Sequence, residues 1–116
     1  ILNDCDYSLA NHWDNARYLI DDEGRADAIE TALKARRPED AFEGPELALL
    51  CYAEKLTLSP ANMIQADVTV LKTAGIDDGQ ILEANQIICY FNYVNRSLNG
   101  LGVSTDGDVV GYYAKT

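Results

Sequence analysis

Asp77-Asp78-Gly79-Gln80-Ile81-Leu82-Glu83-Ala84-Asn85-Gln86-Ile87-Ile88-Cys89-Tyr90-Phe91-Asn92-Tyr93-Val94-Asn95-Arg96-Ser97-Leu98-Asn99-Gly100 is the stretch that decides the fold. Ile81, Ala84, Ile88, Phe91 and Leu98 fall on one helical line, with Ile87 and Val94 beside it. Asp77 with Gln80 three residues on is a capping box, so the helix is expected to begin there and run to about Asn99, stopped by Gly100. Apolar residues cover so much of its circumference that it belongs at the centre of the fold or between subunits.

Working outward, the same periodicity recurs and no alternating strand precedes residue 103. A helix over residues 63–74 stops at Gly75. Another begins near Gly44-Pro45-Glu46, with proline placed where its missing N–H costs nothing. Leu49, Tyr52, Ala53 and Leu56 make its inward face, and Ser59-Pro60 closes it. Residues 25–37 form a helix with early acids and late Lys34, Arg36 and Arg37, as the helix dipole favours, ended by Pro38. The first helix covers residues 7–20 with a Leu9, Trp13, Ala16, Ile20 stripe. Five helices and short turns predict an all-α domain. Residues 101–116 read as a Gly- and Asp-rich tail that docks by Tyr112 and Tyr113.

The 116 residues amount to one domain, and with no methionine at Ile1 they read as the latter part of a longer all-α chain. Nine basic residues against 19 acidic ones give a net charge of −10, more of it before residue 59 than after. Such a field repels phosphate backbones and anionic headgroups, which argues against nucleic acid or membrane partners. No run is long and apolar enough for a membrane span. One histidine and three scattered cysteines make neither a zinc site nor a disulfide framework, so a reducing cytoplasm is the expected compartment.

Chemistry concentrates in Cys5-Asp6-Tyr7-Ser8-Leu9-Ala10-Asn11-His12. In a helix starting at Asp6 or Tyr7, Cys5, Ser8 and His12 share one face at spacings of three and four. A thiol at a helix N-terminus gains thiolate character, and His12 can relay a proton to Ser8 or Cys5. Asp4 and Asp6 oppose a thiolate. The plainer reading makes Cys5 incidental, Ser8 a first-turn residue and His12 part of a solvated face.

Cys5-x-x-Ser8-x-x-x-His12 resembles the Cys-x-x-Cys-x-x-x-His signature of the alkylhydroperoxidase D-like, carboxymuconolactone decarboxylase-like superfamily. The second half resembles its peroxidase-related branch through Tyr52-Ala53-Glu54-Lys55-Leu56-Thr57, Leu71-Lys72-Thr73-Ala74-Gly75 and Phe91-Asn92-Tyr93-Val94-Asn95-Arg96. The resemblance implies an all-α homo-oligomer that reduces small hydroperoxides with an external thiol reductant, without metal or organic cofactor. In that chemistry the second cysteine attacks the peroxide, the first resolves the sulfenic acid as a disulfide, and the histidine handles protons with an upstream glutamate. Carried over, Cys5 takes the resolving position and His12 the proton relay, while Ser8 holds the attacking position. A hydroxyl forms neither sulfenic acid nor disulfide. The glutamate would precede Ile1.

Three explanations of Ser8 stay open: an introduced substitution, a natural one-cysteine enzyme using Cys5, or a branch that kept the fold for another role. The competing function is a non-catalytic oligomer that binds a small ligand or partner near His12. A carboxymuconolactone decarboxylase-type lyase shares the fold but lacks this cysteine signature, and ranks last.

Other candidates read as structural. Cys51 and Cys89 lie among apolar residues and are expected as small buried hydrophobes. Asn92, Asn95 and Arg96 are expected to hydrogen-bond in the core or between subunits, Arg96 with a carboxylate such as Glu54. Trp13 and the seven tyrosines read as core and interface residues. A calcium loop aligned on Gly24 and Glu30 fails because Leu19 occupies its first ligand position. Gly100-Leu101-Gly102 follows a helix and lacks the third glycine of a dinucleotide fingerprint.

Overall fold

The structure, a computed structural model, describes residues 1–111. It is all-α, with α1 (Asp6–Ile20), α2 (Glu23–Lys34), α3 (Gly44–Leu58), α4 (Gln65–Thr73) and α5 (Asp78–Gly100). Single 3₁₀ turns at Pro38–Asp40 and Pro60–Asn62 lead into α3 and α4. No strand occurs among the described residues. Tyr112 and Tyr113, the expected docking residues of the tail, lie outside them.

The ends of the helices follow local chemistry. Asp77 Oδ1 accepts from the Gln80 N–H (2.8 Å) and Gln80 Oε1 accepts from the Asp77 N–H (3.0 Å), closing the expected capping box of α5. Gly75 has φ +90°, and the N–H groups of Gly75 and Ile76 return to the carbonyls of Lys72 and Leu71. That closure puts Ile76 against Leu71, both buried. At the end of α5 the expected stop is displaced. Gly100 remains helical, and the left-handed residue is Gly102, whose N–H bonds to the Asn99 carbonyl.

The limits of α2 also differ from expectation. It starts earlier because Asp22 Oδ1 caps the Arg25 N–H at 2.9 Å. It stops at Lys34, before Pro38, because Arg36 turns left-handed (φ +56°) and the N–H groups of Arg36 and Arg37 close on the Leu33 and Ala32 carbonyls. A non-glycine residue in that conformation costs about 1 kcal/mol. The buried positions Ala26, Ile29 and Ala32 hold α2 in place against it.

The core is small. Tyr52 of α3, Leu71 of α4, Ile76 of the turn after α4 and Ile81 of α5 are its buried members, with Leu49, Leu56, Met63 and Ile88 packed around them. Leu71 alone among the large described side chains has no exposed surface. Helix α3 packs along α5 and against α4, while α1 pairs with α2. The expected centrality of α5 therefore applies to one of its faces. Its opposite face leaves Leu82, Tyr90 and Tyr93 more than half exposed.

Candidate functional site

A cavity of about 500 Å³ opens between the start of the chain, α1, α3 and α5. Helix α1 contributes Ser8, Leu9, His12, Trp13 and Ala16, so the stripe expected from the sequence forms one wall. Helix α5 contributes Ile88, Phe91, Asn92 and Asn95 from the continuation of its core-facing line. The apolar stripe of α5 thus changes task at Ile88, which touches both the core and the cavity.

Cys5 is the N-cap of α1, so the helix starts where the proposed constellation requires. Ser8 is buried in the first turn and lines the cavity. His12, one turn further, is solvent-exposed and sets its ring edge-on to Phe91, with centroids 5.0 Å apart. It stands at the rim. Cys5 is only 3% exposed and is not part of the cavity wall. The three residues are neighbours on one helix, but only two of them face the same space.

The start of the chain is fastened over this region by asparagines. Asn3 Nδ2 donates to Asn92 Oδ1 (2.8 Å), Asn92 Nδ2 donates to Thr57 Oγ1 (3.2 Å), and Asn99 Nδ2 donates to the Asn3 carbonyl (3.0 Å). Arg96 joins this cluster instead of pairing with Glu54, donating to the Asn92 carbonyl at 3.1 Å and to Asn3 Oδ1 at 3.4 Å. Its exposed position beside residue 3 and the placement of Glu54 in the cavity wall explain the change. On the other side, the Arg17 guanidinium lies 5.8 Å from the Trp13 ring and is held by Glu23, Asp27 and Glu30.

Two expectations about cysteines are corrected. Cys51 and Cys89 are exposed, and Cys5 is the buried one; all three are free thiols. Cys51 and Cys89 fall on the outward sides of α3 and α5, whose apolar residues extend beyond their inward faces. Partial burial, followed by the charges of Glu54 and Glu39, pushes the Cys51 thiol above its ordinary range.

Glu54 and Thr57 are wall residues that the sequence reading did not place. With Leu50 and Ala53 they form a second inward line on α3, beside the Leu49, Tyr52, Leu56 line that meets the core. Their spacing of three and four was a usable signal, masked because both lines run through one largely apolar helix. Glu54 brings a carboxylate to the same cavity as His12. Among the described residues no three His, Cys, Asp or Glu side chains gather as a metal site, and no helix is long and apolar enough to cross a membrane. The chain matches no family model and no curated protein.

Proposed function

We propose that this chain is a peroxidase-related, alkylhydroperoxidase D-like protein that takes a small hydroperoxide into the cavity beside Ser8 and His12. One observation carries the reading: Ser8 and His12, chosen from sequence spacing, both stand in the wall of one largely apolar cavity. Glu54, in the same wall, is a carboxylate available to the proton relay.

In the thiol cycle, a thiolate attacks the terminal peroxide oxygen. The O–O bond breaks, the alkoxide leaves as the alcohol with a proton from His12, and the sulfur becomes a sulfenic acid. A thiol then displaces water to form a disulfide, and an external dithiol reopens it while becoming oxidised. Ser8 cannot enter this cycle, and Cys5, buried outside the cavity wall, must be uncovered before it meets the peroxide. The parent chain should therefore bind hydroperoxides and reduce them slowly.

The burial of Cys5 outside the cavity favours a second reading, a non-catalytic member that binds a ligand in the same place. Consumption of cumene hydroperoxide with dithiothreitol separates the two. Under the first reading Ser8→Cys gains at least about tenfold over the parent, because its sulfur sits in the first turn of α1, where the helix N-terminus favours a thiolate. No gain leaves the binding reading. Cys5→Ala activity equal to the parent's removes Cys5 as the working thiol.

Assembly into homo-oligomers and residence in a reducing compartment such as the cytoplasm belong to the same proposal. The exposed apolar α5 face of Leu82, Tyr90 and Tyr93 supports the first, and three free thiols the second.

A further inference from the structure

Asn95 stands in the cavity wall on α5, one turn beyond Phe91. It is 8% exposed, and its Oδ1 has no hydrogen-bond partner. The neighbouring Asn92 uses both ends of its amide, one on Asn3 and one on Thr57, and the other buried polar atom without a partner among the described residues is a donor, the Trp13 indole N–H in the same wall. Folded proteins leave few buried acceptors unpaired, because such a group has given up water and gained nothing.

Contacts on either side of Asn95 join the start of the chain and α1 to α5. Asn3 is bonded to Asn92 and Asn99, and the His12 ring meets Phe91. Ser8 falls between Asn3 and His12 along the chain, and Asn95 falls between Phe91 and Asn99. Ser8, Thr57 and Asn95, the three buried polar residues among those described, all line the cavity, with the exposed His12 at its rim. The middle is apolar, lined by Leu9, Leu50, Ile88 and Phe91.

We propose that Asn95 Oδ1 is a specificity acceptor, taking the O–H of a compact, neutral, mainly apolar ligand: a tertiary organic hydroperoxide or the alcohol it yields. This rests on reading the cavity as the hydroperoxide site. Such a ligand places its hydrocarbon body among the apolar side chains and its O–H at Asn95 Oδ1, the one buried acceptor without a partner among the described residues. An ionised carboxylic acid has no O–H to donate, and it meets both the Asn95 oxygen and the Glu54 carboxylate in a chain of net charge −10. Hydroperoxides bearing a free carboxylate are selected against. A site built to pair a hydroxyl discriminates strongly against the analogue that lacks it.

Trp13 is the only tryptophan and lines the cavity, so its fluorescence reports binding without any peroxide chemistry. The parent chain and Asn95→Leu are titrated with 2-phenyl-2-propanol and with tert-butylbenzene, which differ by hydroxyl against methyl. The ratio of the two dissociation constants should shift at least about tenfold toward the hydrocarbon in Asn95→Leu, equivalent to about 1.4 kcal/mol. Asn95→Ala repeats the comparison if circular dichroism shows that the leucine variant does not fold. In the parent, 2-methyl-2-phenylpropanoate at pH 7 should bind at least about tenfold more weakly than the alcohol. An unchanged ratio, or carboxylate binding equal to that of the alcohol, overturns the assignment. A shifted ratio with no peroxide turnover by Ser8→Cys keeps the acceptor and removes the peroxidase chemistry. Turnover with an unchanged ratio does the reverse.

Discussion

Leu71→Ala tests the division of α5 between core and cavity. Leu71 has no exposed surface and packs with Tyr52, Ile76 and Ile81. Its truncation removes three buried carbons, worth about 0.8 kcal/mol each on transfer to water. A residual void of roughly 40 Å³ at about 24 cal/mol per Å³ adds about 1 kcal/mol. The expected loss is about 3.4 kcal/mol, and at about 4 °C per kcal/mol for a domain of this size the Tm falls by about 14 °C. Urea unfolding followed by circular dichroism measures the loss, with an unchanged dependence on denaturant. Leu71 does not line the cavity, so binding of 2-phenyl-2-propanol by Trp13 fluorescence should stay within about twofold of the parent well below the midpoint. A loss below about 1 kcal/mol would mean that this cluster is not the core. The full loss accompanied by tenfold weaker binding would refute the separation of the two regions.

Asp77→Ala should cost about 1 kcal/mol by freeing the Gln80 N–H, with Gln80→Ala adding less than its own single effect because the two bonds are reciprocal. Additive effects in equilibrium unfolding would dissolve the capping box. Glu30, held below the ordinary carboxylate range by Lys34 and then Arg17, and Asp67, held there by Lys55 and then the Ile64 N–H, contribute stability that is complete above about pH 5 and lost as pH falls through their lowered values. The Tm should be nearly flat from about pH 7 to pH 5 and then drop, less steeply in Asp67→Asn; superimposed acid limbs would remove this pair from the account. Cys89 lies within the exposed apolar face of α5, between Leu82 and Tyr93, so its rate with an aromatic disulfide reagent should fall as protein concentration rises and copies associate. A rate that stays constant across association measured by sedimentation would take α5 out of the interface.

Helix starts and stops were legible where they are local events. The Asp77–Gln80 box and the Gly75 turn each depend on residues within a few positions, so spacing alone identifies them. The left-handed Arg36 was not legible, because an arginine there is sustained by the packing of α2 and carries no local mark. The cysteines invert for a similar reason. Cys5 sits in a polar sequence yet is buried, because residues 1–4 turn back and Asn3 is fastened to Asn92 and Asn99. Cys51 and Cys89 sit in apolar sequence yet are exposed, because α3 and α5 are apolar over more of their surface than their partners cover.

The candidate site divides along the same line. The spacing of Ser8 and His12 is a property of one helix, and it was readable from that helix. The rest of the site is not, because Glu54, Thr57 and Asn95 reach the cavity from α3 and α5, more than 40 residues away. A signature in α1 can therefore name the chemical positions while saying nothing about the space they face. That space depends on where the α5 stripe passes from core to cavity at Ile88, and on the asparagine contacts that hold residue 3 over the far end. Under the proposed chemistry Ser8→Cys supplies the attacking atom at one position and leaves the side chains of α3 and α5 in place. The order of tests follows from this: ligand discrimination at Asn95 probes the walls in the chain as it stands, and Ser8→Cys then asks whether sulfur was the part the walls lacked.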